Sequence, residues 1–256
     1  MIADRYDAFL FDLDGVLFRG SRPIPSAAEA LRRLRRAGRR VAFVTNNSTQ
    51  TPDDVAGKLQ EMGIEASHTE VETSALATAE LLSGRGVRSA FVVGERGILS
   101  ALQTSGIRVL DGSAEHAEVV VVGWDRTADY WKLARAALLV ERGARLVATN
   151  GDVSYPAPEG NLPGAGALLS VIVATTGATP EIVGKPHAPL LRGALARAGG
   201  GRPLVVGDRL DTDIAGAAAL GWDSLLVLTG ITRREDVAVA TAKPTYVADD
   251  VSGLFA

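Results

Sequence analysis

Short apolar runs alternate with amphipathic stretches along this whole sequence, and that alternation narrows the fold more than any other feature. The strand-like runs are AFLF (8–11), VAFV (41–44), AFVV (90–93), EVVVV (118–122), RLVAT (145–149), PLVV (203–206) and SLLV (224–227). Between them lie segments such as SAAEALRRLRRAG, in which Ala27, Ala30, Leu31 and Leu34 recur at helical spacing. Unbroken β-branched runs joined by helices predict parallel strands covered on both faces, since a strand with one wet face would alternate polar and apolar residues. The fold class is α/β. Pro25-Ser26, Thr51-Pro52 and Lys185-Pro186 read as helix starts.

Composition matters mainly for what it excludes. The chain has 256 residues, 46% of them hydrophobic, enough for one large domain or two modest ones. A net charge of −3 gives no global reason to bind nucleic acid or an acidic membrane. The six arginines from Arg32 to Arg40 read as the solvent face and C-terminal end of one helix, where cations suit the helix dipole. Without cysteine there are no disulfides, thiolate metal sites or cysteine nucleophiles. His68, His116 and His187 are scattered without zinc spacing. The start MIADRYDAFLFDLDG has no signal-peptide pattern, and AEVVVVGW and ALLSVIVA are too short to span a bilayer, so a soluble cytoplasmic protein is expected.

Four elements carry chemistry. In FDLDG, Asp12 and Asp14 follow an apolar strand two residues apart, which points both carboxylates to one side. Such a pair is costly unless a cation or proton sits between them. VTNNS (Thr45 to Ser48) offers hydroxyls, amides and backbone N–H groups at a second strand end, a natural phosphate cradle. Gly184-Lys185-Pro186 supplies a point positive charge. VVGDRLDTD brings Asp208, Asp211 and Asp213 to another strand end, a set that suits a hard cation, although Asp211 reads best as favouring a helix N-terminus. All four are expected at the C-terminal ends of parallel strands, the edge where open α/β sheets bind ligands. A phosphate dianion could enter so acidic a pocket only with a metal cation, and magnesium suits a few carboxylates plus phosphate oxygen.

In their order and in their spread over residues 8 to 220, these motifs resemble the four motifs of the haloacid dehalogenase superfamily of phosphohydrolases. The resemblance implies a Rossmann-like, doubly wound core and an aspartyl-phosphate mechanism. By its pattern Asp12 is the nucleophile and Asp14 the general acid, then base. Thr45 and the Asn46 backbone hold the phosphoryl oxygens, and Lys185 neutralises Asp12 and the transferring group. Asp208, Asp12 and the backbone carbonyl of Asp14 bind magnesium, with Asp213 one step removed, through water or by orienting Lys185.

The stretch from Ser48 to Lys185 is far longer than one crossover needs. It predicts a second α/β domain over 78–180 inserted into a core of 1–77 and 181–256. That position is similar to the superfamily's type-two cap, and VVVGWDRTADYWKLARAALLVERGARLVATNGD with LPGAGAL resembles the NagD-like, or p-nitrophenylphosphatase-like, subfamily. The resemblance implies a small phosphate ester as substrate, such as glycerol phosphate, phosphoglycolate, or a sugar or nucleotide phosphate. It also implies a homodimer formed through the caps. Asn150, Asp152 and Gly164 are the expected leaving-group contacts, with Asp125 a further candidate. The competing readings are a phosphonatase, for which Lys132 would have to be the Schiff-base lysine, and a phosphate-ester-binding regulatory protein with little turnover. A nicotinamide site is excluded, because FDLDGVLFRG lacks a G-x-G-x-x-G turn.

Overall fold

The strand Ala8–Asp12 runs through the middle of a six-stranded sheet in the computed structural model, which describes residues 1–157 and 160–256. Across the sheet the order is Tyr246–Ala248, Asp223–Val227, Pro203–Gly207, Ala8–Asp12, Arg40–Thr45 and Val71–Thr73. The pairings of Ala8–Asp12 with both neighbours, and of the strands beyond Pro203–Gly207, are parallel. Alternate residues of four strands share one face: Phe9 and Phe11, Val41 and Phe43, Leu204 and Val206, Leu225 and Val227 pack with Leu31 and Leu34 in one core cluster. Each such side chain, fully buried, stabilises the fold by about 1.5–3 kcal/mol.

This sheet belongs to one of two compact units, made of Met1–Thr45, Pro52–Glu72 and Lys185–Ala256. The helix Ala27–Arg36 buries Ala27, Ala30, Leu31 and Leu34, the four residues its spacing singled out. Gly38, at φ +70°, ends it. The six arginines around its C-terminus have local partners. Arg32 and Arg36 pair with Glu29, Arg35 with Glu70, and Arg39 with Asp4. Arg33 lies over the Phe255 ring, and Arg40 donates to the Gly199 carbonyl.

The other unit comprises Asn46–Thr51 and Thr73–Gly184. Its sheet runs Glu181–Ile182, Arg145–Ala148, Val119–Val122, Ser89–Val93 and Arg108–Leu110, parallel throughout. Val119–Val122 is central and wholly buried, which accounts for four valines in a row. A hairpin of Ser154–Ala157 and Gly160–Pro163 precedes the helix Ala165–Thr176. This unit starts at Thr73 where the sequence suggested 78, ends at Gly184 where it suggested 180, and takes in the loop Asn46–Thr51. The loop is held there by Ser48 Oγ, which accepts from Thr149 Oγ1 at 3.1 Å and from the Trp124 N–H at 3.4 Å. Gly97 N–H donates to the Thr49 carbonyl, and a Cβ on Gly97 would lie 2.4 Å from the Ser48 carbonyl, so only glycine fits.

Two expectations need correction. Glu181–Ile182, before the third motif, lies at the edge of the second unit's sheet, so Lys185 does not stand at the end of a strand of the first sheet. With two residues in the ladder, the run carried too little pattern to assign it to a sheet. The helix after Lys185-Pro186 is Ala188–Arg197, started by His187 as its cap with proline in the first turn, not at Pro186. Among the described residues no helix is long and apolar enough to cross a membrane.

Candidate active site

Register places the site. Phe11 is level with Val206 and Asp12 with Val44, so Thr45 and Asp208 lie just beyond Asp12 on the flanking strands' ends. Behind them Leu210–Ile214 makes a wide π-helical turn, a local irregularity that recurs at functional sites. This turn brings Asp213 back over Gly207, where an added Cβ would lie 2.2 Å from Asp213 Cβ. The strand can therefore end only in glycine there.

The result is a buried charge cluster. Carboxylate oxygens of Asp12, Asp208 and Asp213 lie within 4.8 Å of one another. Lys185 Nζ donates to Asp12 Oδ1 at 2.5 Å and Asp213 Oδ1 at 2.6 Å. Asp213 Oδ2 accepts from the Arg209 N–H at 3.1 Å. Burial pushes the Asp12 carboxyl up to about 8, against the pull of Lys185 and with the help of Asp213 and Asp208. Burial also raises Asp208 to about 6, with Asp213 adding to the effect. Burial opposes the charge on Lys185, but Asp12 and Asp213 outweigh it and raise its proton affinity. Three acids against one ammonium leave the cluster short of positive charge, and its all-oxygen donor set is the kind hard divalent cations take.

Position separates the two acids of the fourth motif that sequence could not rank. Asp213 is 1% exposed and tied to Lys185, whereas Asp211 is 69% exposed and forms a bidentate pair with Arg209. Asp14 stands apart from the three-carboxylate cluster, on an exposed turn bridged to Phe18. Burial raises its carboxyl, offset by Lys58 and by the backbone N–H groups of Gly20 and Gly15. Lys58 was not singled out in the sequence. It lies on the helix Pro52–Glu61 with Nζ 3.9 Å from the Phe18 ring centroid, and only the folded chain puts it near Asp14.

Asn46, Asn150, Asp152 and Gly164 belong to the second unit, where the first three interlock. The Asn46 carbonyl accepts from Asn150 Nδ2 at 2.7 Å and Ser74 Oγ at 2.6 Å, and Asn46 Nδ2 donates to Asp152 Oδ2 at 3.1 Å. Asp152 N–H closes the set on Asn150 Oδ1. Gly164 is there for packing: a Cβ would come 2.3 Å from the Asp152 carbonyl. Asp125, a further candidate in the sequence, is engaged within its own unit. Its side chain is wholly buried and accepts from Gly94 N–H, Thr127 N–H, Thr127 Oγ1 and Lys132 Nζ. The same 2.5 Å pair engages Lys132, the lysine a phosphonatase would need as its nucleophile.

Residues 9–108 match the family described as haloacid dehalogenase-like hydrolase, and residues 182–254 match a second, HAD-hydrolase-like description. The 5'-nucleotidase YutF of Bacillus subtilis is 39% identical over 250 residues, 96% of either chain. The chain belongs to the haloacid dehalogenase-like hydrolases. Its fold is also that of a glycerol phosphate phosphatase from Mycobacterium tuberculosis solved with magnesium, with a TM-score of 0.93 and 38% identity over 99% of this chain and 77% of that one. NagD from Escherichia coli superposes with a TM-score of 0.89 at 30% identity, over 96% of this chain and 97% of NagD. Within the family the chain is NagD-like and a phosphoric monoester hydrolase.

Proposed function

We propose that the protein hydrolyses a small-molecule phosphomonoester with magnesium bound, through an aspartyl-phosphate on Asp12. The observation that carries this reading is the cluster of Asp12, Asp208 and Asp213 oxygens within 4.8 Å, with Lys185 Nζ 2.5 Å from Asp12. The oxygens present fit the ion: Asp12 and Asp208, their proton affinity raised by burial and by Asp213 beside them, gain more from a divalent cation than from one lysine. Asp12, Asp208 and the Asp14 carbonyl would hold magnesium, which when bound offsets charge on the phosphoryl oxygens and on Asp12. The mycobacterial relative, solved with magnesium and also with calcium, supports a hard divalent cation there.

Burial holds the metal-free Asp12 carboxyl up at about 8, and the Lys185 ammonium together with a cation held at Asp208 would bring it to the carboxylate that attacks phosphorus. The bond from phosphorus to the ester oxygen breaks, and Asp14 gives that oxygen its proton. Carboxylate Asp14 then takes a proton from water, whose oxygen attacks phosphorus and frees Asp12 and inorganic phosphate. Lys185 neutralises the charge that gathers on Asp12 and the phosphoryl group, and Asp213 holds Lys185 in place. Thr45 and the Asn46 backbone position the phosphoryl oxygens. Rapid acid quenching followed by peptide mass spectrometry tests this directly: a phosphoryl group should be found on Asp12, and its location on any other residue would rule the mechanism out.

The inserted unit selects the leaving group, through Asn150 and Asp152. Glycerol phosphate, phosphoglycolate, and sugar and nucleotide phosphates form the substrate class, and relatives named for glycerol phosphate, sugar phosphates and nucleotides support all but phosphoglycolate. Asp152→Ala should change the ranking of these esters while leaving p-nitrophenyl phosphate within about 3-fold. An unchanged ranking would remove Asp152 from specificity.

A further inference from the structure

We propose that the loop from Thr229 to Thr232 is a clamp that positions the Asp208 carboxylate and the turn after Asp14, so that Thr229 and Gly230 set the affinity for the divalent cation. This rests on the reading of Asp208 as a metal ligand. The loop follows the strand Asp223–Val227, next in the sheet to the strand Pro203–Gly207 that leads into Asp208. Ile231 N–H donates to Asp208 Oδ2 at 2.8 Å, and Thr232 N–H donates to the Asp208 carbonyl at 3.3 Å. Backbone donors thus hold the residue at both its carboxylate and its main chain.

The approach is close enough to exclude side chains. A Cβ on Gly230 would lie 1.8 Å from Asp208 Oδ2 and 2.3 Å from its Cγ, and one on Gly15 would lie 2.5 Å from the same oxygen. Gly15 and Gly230 therefore close on the carboxylate from two directions, and Gly15, at φ +82°, is restricted to glycine for a second reason. Thr229 joins the two walls: its Oγ1 donates to the Gly15 carbonyl at 2.6 Å. Arg19, on the exposed hairpin ahead of the first helix, donates through Nε to the Thr229 carbonyl and at 3.4 Å to that of Gly230. None of these groups is an acid or needs to touch substrate. Together they fix one carboxylate and the turn that carries the Asp14 carbonyl, two of the protein oxygens that would hold magnesium, an ion that demands near-ideal octahedral geometry.

Thr229 and Gly230 are positioning residues, and their signature is metal affinity. Supporting groups around a metal site alter affinity by about 10–100-fold when removed. Isothermal titration of magnesium chloride into metal-stripped protein should give Thr229→Val a Kd about 10-fold above wild type, and Gly230→Ala a larger rise. Thr229→Ser, which keeps the hydroxyl, should return within about 3-fold of wild type. At saturating magnesium, Thr229→Val should recover most of its kcat. Thr229→Val that is less stable yet binds magnesium as wild type does would overturn the clamp while leaving the metal site standing. Wild type that takes up no magnesium would overturn the metal reading, and the clamp with it. Should Gly230→Ala fail to fold, the threonine pair decides alone.

Discussion

Removing the Lys185 ammonium should invert the effect of a neighbouring mutation. In the folded protein Asp213 lies 2.6 Å from Lys185 Nζ, an attraction of about 6 kcal/mol at an effective dielectric constant of about 20. It also faces Asp12 and Asp208 with oxygens within 4.8 Å, and each such pair repels by about 3.5 kcal/mol or more on the same scale. Attraction and repulsion nearly cancel, so Asp213→Asn alone should move the stability of metal-free protein by no more than about 2 kcal/mol. Lys185→Met leaves buried carboxylates uncompensated and should cost about 3–5 kcal/mol. In that background Asp213 only repels, so adding Asp213→Asn should restore about 2–3 kcal/mol. Thermal unfolding of the four proteins in EDTA near pH 9, above the values of both Asp12 and Asp208, reads this directly, since each kcal/mol corresponds to about 2–4 °C at this size. A double mutant less stable than Lys185→Met would refute the electrostatic account of the cluster.

Metal-free protein should lose stability as pH rises. Asp12 and Asp208 bind protons more tightly folded, with values of about 8 and 6 against an ordinary 3.8, so the folded form is favoured below about pH 4. That advantage drains away through pH 6 and 8, by up to about 1.4 kcal/mol per pH unit for each proton. Melting curves in EDTA should fall over this range and flatten with magnesium; the opposite slope would contradict the raised values. Asp125→Ala should destabilise the protein by about 3 kcal/mol through orphaned buried donors while leaving magnesium affinity unchanged, and a large affinity loss would give Asp125 a place in the site after all. Tyr130 and Trp131, 74% and 76% exposed and packed edge to face, are the apolar pair on the inserted unit that would anchor the expected dimer. Sedimentation of wild type as a dimer and of Trp131→Glu as a monomer is the expected outcome, and equal sedimentation would discard that surface.

The sequence was most legible where chemistry and backbone pattern coincide. All seven strand-like runs form strands, because short β-branched and aromatic runs bounded by turns suit strands covered on both faces, whereas the longer ALLSVIVA run lies in the helix Ala165–Thr176. The short edges Val71–Thr73, Arg108–Leu110 and Tyr246–Ala248 offered too few residues to show a period. Asp12, Lys185, Asp208 and Asp213 converge as their motifs imply, and three of them take their place from strand register or a single turn. The loop Asn46–Thr51 was harder. Its membership of the second unit depends on Ser48 and Gly97, whose partners are distant in the chain. Lys58 and Thr229 show the same limit: a lysine on a surface helix and a threonine after a strand have no local mark, and only packing brings them to Asp14 and Gly15. Asp125 shows a further limit, since an acid after Gly-Trp signals polarity but not that its side chain is buried and paired with Lys132.

The central claim is that Asp12 forms the covalent bond to phosphorus with magnesium in place. Release of inorganic phosphate from p-nitrophenyl phosphate, by wild type and Asp12→Asn, with magnesium or with EDTA, tests it most directly. Wild type should turn over in magnesium and lose that turnover in EDTA, and the well-folded mutant should show none in either. Full activity in Asp12→Asn would contradict the account at its centre.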